Sequence, residues 1–420
     1  MKTQALRRFD VQGLDRRGLR AAANVLRTAA RQGQVALPTC TLVDRPPLLQ
    51  VRLQGDAVVV DELVQRIMDK GGRIVQDFVD VATSNLGGAP YPDPQALLRM
   101  GGAASDVSGP PKVSWSPVTI AIVDSGIMVD HPDLKPHLWE LAPGIHGARC
   151  MNGKVDHDLT DEDGHGTMLA GTILATANRE PLIKIMAVKF FDGATRPAAA
   201  NAAAAIRFAV DHKADFIHVS WELGIPNDDV QQALTEAAAA GCLLVFAAGN
   251  EGTDADKMKA TPSLYAAAYR KKSLVVMATD WHDDKAWFSS YGERSVDIAA
   301  PGVDIITTCP FLSKAAATSD RLPGRYRRYS GTSAASAYVT GAAALIKLRY
   351  PKLHAAALKK CLMNSVDPQP DLRCRSHGRL NLVKALDCAA RVAAPPRYKR
   401  QPGSPARRKS SARRRRRSGS

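Results

Sequence analysis

No stretch of this chain approaches the ~20 consecutive apolar residues that a membrane span needs. Its start, MKTQALRRFDVQGLDRRGLR, carries charges where a secretion signal has an apolar run. No membrane and no secretory route is therefore expected, which leaves a cytoplasmic or otherwise intracellular protein, or a nuclear one in a eukaryotic host. Cysteine pairs at motif spacing are missing too. The seven cysteines (Cys40, Cys150, Cys242, Cys309, Cys361, Cys374 and Cys388) are odd in number and scattered, with no CxxC. That excludes a zinc or dithiol motif and points to mostly reduced thiols, with a pairing among Cys361, Cys374 and Cys388 left open. Acidic residues are absent from one end. From Ala394 to Ser420 there are eleven Lys or Arg and no Asp or Glu, out of a net charge of +16, so the remaining residues carry only +5. This end, over 391–420, is expected to be a disordered basic tail. It would bind nucleic acid or another polyanion through 394–420, act as a nuclear address, or stay a solvated end.

What is present is enough apolar material for a large core. With 420 residues, 45% of them hydrophobic, one domain of ~250 to 300 residues with smaller attachments is the natural division. Over 1–83, helical spacing of Leu19, Ala22, Ala23, Leu26 and Ala30 precedes a strand at LLQVRL. A helix capped by Asp61 and a second strand at RIVQDFVDV follow. This predicts a small α+β module built as strand, helix, strand. Residues 84–117, rich in Gly, Pro and Ser, read as a linker. From Val118 the pattern changes to apolar strands alternating with helices: VTIAIVD, LIKIMAVKFF, an Ala-rich helix over 198–213, DFIHVS, a helix over 228–240, CLLVFAAGN, SLVVMATD and VDIAAPG. Near-continuous apolar strands separated by helices predict a three-layer α/β domain over 118–390, a parallel sheet covered on both faces.

In such sheets ligands sit beyond the carboxyl ends of the strands. Asp124 ends VTIAIVD, Ser220 follows DFIHV and Asn250 follows CLLVFAAG. His165, in DEDGHGTMLAG, opens a helix of small residues. Ser333 opens another, SAASAYVTGAAALI, which has no polar face and must be buried. A serine there meets unpaired backbone N–H groups and the positive end of the helix dipole. An acid, a base and a serine at element ends on one side of one sheet have the logic of a nucleophilic triad, with Asn250 available to receive an oxyanion. Each taken singly has a structural alternative: Asp124 as turn former, His165 as satisfied core histidine, Asn250 as left-handed turn residue, Ser333 as helix cap.

Taken together, IVDSGIMVDHPDL, DEDGHGTMLAG, FAAGNEG, DIAAPG and YSGTSAASAYVTG resemble, in order, the signature blocks of the subtilisin family of serine peptidases. The resemblance runs from about Val118 to GRLNLVKALD at 378–387. It implies a serine endopeptidase, self-processing and needing no cofactor for its chemistry. Asp124 would orient, His165 would be general base and acid, Ser333 the nucleophile and Asn250 the oxyanion donor. It implies further that Ser220, Trp221 and Glu222 pair with extended polypeptide substrate, with Gly249 across the primary specificity pocket. A structural calcium ion at Asp133 and Asn178 is also implied, although the loop after Ala177 is shorter than the calcium-binding version. Two departures stand out. Ala334, Ala337 and Tyr338 occupy the family's Met, Pro and His places, and Glu222 places a carboxylate where glycine is usual, which favours a cationic substrate side chain. The N-terminal module resembles the family's inhibitory and chaperone-like propeptides; the alternative is a permanent domain with a binding role. The rival reading is a catalytically silent scaffold of the same fold that binds peptides and uses its tail to hold polyanions.

Overall fold

The computed structural model describes residues 116–192, 198–223, 226–257, 263–310 and 326–393 in full. It also describes the helix at 16–32, the backbone of strands at 4–12, 35–44, 47–56 and 73–81, and the single positions Leu63, Arg66 and Met100. Strand β1 (Gln4–Gln12), helix α1 (Arg16–Arg31), β2 (Val35–Asp44), β3 (Pro47–Asp56) and β4 (Arg73–Val81) make the N-terminal module. Its four-stranded sheet has the order β2-β3-β1-β4 and is antiparallel throughout. The expected α+β character holds, but the sequence reading missed β1 and β2, whose polar and charged residues break the apolar runs by which strands are recognised. Leu19, Ala22, Ala23 and Leu26 are the buried stripe of α1, as their spacing predicts. Leu63 is buried in helical backbone; the remainder of the helix expected after Asp61 lies outside the described residues.

The larger domain is built on β5 (Val118–Asp124), β6 (Gly147–Met151), β7 (Lys154–Asp156), β8 (Ile183–Lys189), β9 (Phe216–Val219), β10 (Leu243–Ala247), β11 (Ser273–Thr279) and β12 (Ile298–Pro301). A hairpin of β13 (Ile305–Thr308) and β14 (Tyr326–Tyr329) stands apart, and β15 (Asp367–Pro368) and β16 (Gly378–Arg379) complete the main sheet. That sheet has ten strands in the order β15-β16-β12-β11-β10-β9-β5-β8-β6-β7, parallel except at the two edges. Alternate residues of its strands face two cores. Ile120 and Ile122 point to the layer of α2 (His165–Thr176), α6 (Thr332–Arg349), α7 (Ala355–Asn364) and α8 (Leu382–Ala393). Ala121 and Val123 point to the layer of α3 (Ala199–Asp211), α4 (Asp228–Ala240) and the short α5 (Ser263–Ala267). This is the expected three-layer α/β arrangement, because a parallel strand must be apolar on both faces.

Local chemistry sets the helix ends. The Asn227 side chain accepts hydrogen bonds from the Asp229 and Val230 backbone N–H groups at the start of α4, and Gly241 ends it at φ 100°. Close approach explains the small residues of α6. A methyl group built on Gly341 would lie 2.4 Å from the Ile173 carbonyl oxygen of α2, so α2 and α6 touch backbone to backbone there.

Three features bear on the expectations from the sequence. Met100, inside the segment taken as a linker, is fully buried in the core beside α8, and its carbonyl accepts from the Leu382 N–H at 2.8 Å. Cys361 and Cys388, one of the pairings the sequence leaves open, form a disulfide between α7 and α8 with Cα atoms 5.5 Å apart, while among the described residues Cys150, Cys242 and Cys374 are free thiols. The helix α8 runs to Ala393, past the expected start of the tail; residues 394–420 lie outside the described residues.

Candidate active site

Strand order brings the candidate residues together. The central strand β5 lies between β9 and β8, and the chain winds outward from it in both directions, so loops part at its carboxyl end and leave a crevice there. Asp124 is the last residue of β5 and is 1% exposed. Its Oδ1 accepts from the Ser125 N–H at 2.8 Å and lies 2.8 Å from Nδ1 of His165. His165 is the first residue of α2. Burial alone would lower its pKa, but the charge and hydrogen bond of Asp124 outweigh that and hold the imidazole well above its usual value.

The loop that presents His165 is fixed by Asp161, which motif reading had not singled out. Its buried carboxylate accepts from Ser125 Oγ and Gly164 N–H, both at 2.8 Å, and from Thr167 N–H at 2.9 Å and Thr167 Oγ1 at 2.5 Å. Ser125 Oγ in turn accepts from the Gly166 N–H at 3.0 Å. One buried acid thus caps α2 and ties it to the end of β5. Burial pushes the Asp161 carboxyl up, against the pull of those hydrogen bonds.

Ser333 is the second residue of α6 and is 5% exposed. Asn250 lies in the loop after β10, and its side-chain oxygen accepts from both the N–H and the hydroxyl of Thr332, each at 2.9 Å. With the oxygen so occupied, the Asn250 amide NH₂ is the face left for a ligand. Gly249 adopts φ 100°, and its N–H donates to Thr332 Oγ1 at 3.3 Å. Asp124, His165, Ser333 and Asn250 therefore share one end of the sheet. The imidazole Nε2, however, faces the Tyr329 hydroxyl at 3.1 Å, with the two rings edge to face at 5.9 Å. Among the described residues that hydroxyl, and not Ser333 Oγ, is its hydrogen-bond partner.

The other expected site residues divide. The ladders of β9 with β5 and β10 end at Val219, so the backbone of Ser220, Trp221 and Glu222 runs on beyond them, where an extended peptide would pair. The Trp221 side chain does not line that cleft. It is 7% exposed, packs on Phe190 at 4.8 Å between centroids, and its Nε1 donates to the Val123 carbonyl at 2.8 Å. Asp133 and Asn178 do not come together as metal ligands. Asp133 pairs with the Arg179 guanidinium at 3.2 Å and accepts from the Tyr326 hydroxyl, while Asn178 sits in a left-handed turn at φ 54°. Arg179 supplies at Asp133 the positive charge a calcium ion would bring, so the residues present do not fit that ion. Among the described residues no group of three or more His, Cys, Asp or Glu is placed to hold a metal.

A buried Asp–His pair and a serine at a helix start, at one end of a doubly covered parallel sheet, have the make-up of a serine hydrolase site. The model of the subtilase family matches residues 116–387, and the chain belongs to that family. It is 30% identical over 276 residues to subtilisin DY of Bacillus licheniformis, covering 64% of this chain and 90% of that one. It is 31% identical over 280 residues to thermitase of Thermoactinomyces vulgaris, covering 64% and 88%. Among solved structures, a lanthipeptide protease is similar at TM-score 0.55 and 24% identity, over 64% of this chain and 87% of that one. The nisin leader peptidase NisP of Lactococcus lactis is similar at 0.51 and 22%, over 65% and 89%; these two likenesses speak for the fold. The chain is a serine endopeptidase of subtilisin type acting on polypeptides, and the family's chemistry needs no cofactor. Among the described residues no helix is long and apolar enough to cross a membrane.

Proposed function

We propose that Asp124, His165 and Ser333 are the catalytic triad of this endopeptidase. The observation that carries the assignment is the 2.8 Å bond between Asp124 and His165 Nδ1. It sets the tautomer in which Nε2 is free to take the Ser333 proton. Substrate entry first draws Nε2 from the Tyr329 hydroxyl to Ser333 Oγ. The serine oxygen then bonds to the scissile carbonyl carbon, and its proton passes to Nε2. The carbonyl oxygen, now negative, accepts from the Asn250 amide and the Ser333 N–H. His165 returns the proton to the leaving amine as the C–N bond breaks; water repeats the sequence on the acyl-enzyme. A fluorophosphonate should label Ser333 in the wild type and not in Ser333→Ala, and Ser333→Ala should lose up to ~10⁶ in kcat. Wild-type turnover by a pure Ser333→Ala preparation would refute the assignment. The silent-scaffold reading is not favoured.

The N-terminal module is proposed to be a self-removed inhibitor. Its support is that β4 packs beside β14, the strand that ends at Tyr329 next to His165. Wild type should be trimmed between about Ser84 and Trp115 while Ser333→Ala stays full length. Trimming of Ser333→Ala in the absence of other peptidases would end that reading.

Residues 394–420 are proposed to bind nucleic acid or another polyanion with steep salt dependence. Their deletion should abolish retention on heparin at low salt, and equal retention would place the basic surface elsewhere. A cytoplasmic location is supported by the free, buried Cys150, Cys242 and Cys374; the Cys361–Cys388 bridge is the feature that argues for an oxidising compartment instead. Free-thiol counting on protein from its native host decides between them.

A further inference from the structure

Two carboxylates meet beside Gly249. Glu222 lies three residues past β9 and Glu251 four past β10, and those strands are parallel neighbours, so their following loops open on the same crevice. A methyl group built on Gly249 would lie 2.6 Å from Glu251 Oε2 and 2.9 Å from Glu222 Oε1. Both acids therefore fill the space that the missing side chain leaves. Among the described residues Glu251 accepts a single hydrogen bond, from Ser290 Oγ at 3.4 Å. Among the described residues Glu222 has no hydrogen bond and no ion pair, in a chain with an excess of cations. Although Glu222 as a whole residue is exposed, burial of its carboxyl and the charge of Glu251 push its pKa up to about 8. A separate observation comes from the same loop: Ser220 is 8% exposed, and its Oγ is buried with no hydrogen-bond partner among the described residues. Buried oxygens left unpaired are costly, and adjacent carboxylates without a cation repel. A ligand that brings several donors and one positive charge would relieve both costs.

The position says which part of a substrate that ligand is. Glu251 directly follows Asn250, which faces the scissile carbonyl. The side chain that reaches the two glutamates therefore belongs to the residue contributing that carbonyl. We propose that Glu222 and Glu251 together form an acidic specificity pocket that takes a lysine or arginine side chain on the acyl side of the cleaved bond. An ammonium group offers three donors and a guanidinium five, enough for both carboxylates and the Ser220 hydroxyl. This rests on the peptidase reading above and narrows its substrates to cationic cleavage sites. Glu222 alone, open on one side, would impose a weaker selection; the pair holds the charge between two loops.

The test uses full-length protein with active enzyme counted by fluorophosphonate labelling, and two peptides identical except for Lys or Met before the cleaved bond. The readout is the ratio of kcat/KM for Lys over Met. The wild type should favour Lys by about tenfold or more. Glu222→Gln and Glu251→Gln should each lower the ratio by about ten- to hundredfold, the range of one charged hydrogen bond. The double variant should lower it at least as far as either single one. A wild type that prefers Met, or a ratio unmoved by both substitutions while labelling persists, overturns the pocket but leaves the peptidase intact. A wild type that neither labels nor cleaves either peptide overturns the peptidase reading, and the pocket with it.

Discussion

Gly341→Ala should cripple the enzyme from two turns of helix away from Ser333. The added methyl would sit 2.4 Å from the Ile173 carbonyl oxygen and 2.7 Å from Thr176 Cβ. Ordinary contact is about 3.5 Å, so α2 and α6 must separate by about 1 Å. Overpacking of this size costs about 1 to 3 kcal/mol, offset in part by the ~1 kcal/mol better helix propensity of alanine. The larger effect falls on the rate, because α2 carries His165 and α6 carries Ser333. A 1 Å misplacement of reacting groups costs on the order of 10²-fold. Urea denaturation should show a modestly lower midpoint, and kcat per fluorophosphonate-titrated site should drop about a hundredfold with KM little changed. Unchanged midpoint and unchanged turnover together would mean that the two helices are not in backbone contact and that their spacing does not set the geometry of the pair.

Because His165 is held well above the usual histidine value of about 6.5, and only its neutral form accepts a proton, kcat/KM should rise with pH along a limb centred above that value. Tyr329 is among the groups that raise it, so Tyr329→Phe should move the limb to lower pH; a limb that stays in place refutes the Tyr329–His165 contact. Asn250→Ala should lower kcat by about 10² to 10³ with little change in KM, and a variant that lost only KM would place Asn250 in ground-state binding instead.

Much of the site was legible because its residues are marked by where they stand in locally periodic sequence. Asp124 closes a fully apolar strand, while His165 and Ser333 open helices of small residues, and each pattern is read within about fifteen positions. The same locality explains what was missed. Nothing in DEDGHGT says that Asp161 will be buried under Ser125, because that contact joins the end of β5 to the start of α2 across an excursion of about forty residues. The N-terminal strands were hidden for a different reason: β1 and β2 are partly polar and lack the continuous runs of the central sheet.

What the sequence determined by itself, then, is the alternation of apolar strands and helices, and with it a parallel sheet whose carboxyl ends carry an acid, a base, a serine and an asparagine. Only the tertiary structure decided which distant groups meet. It set the Tyr329 hydroxyl against His165, paired Asp133 with Arg179, joined Cys361 to Cys388, drew Met100 into the core and brought Glu222 to Glu251. The physical reason is that periodicity fixes which face of an element is buried, whereas crossover connections in a parallel sheet fix which loops share a crevice, and the latter follows from strand order rather than from any one segment.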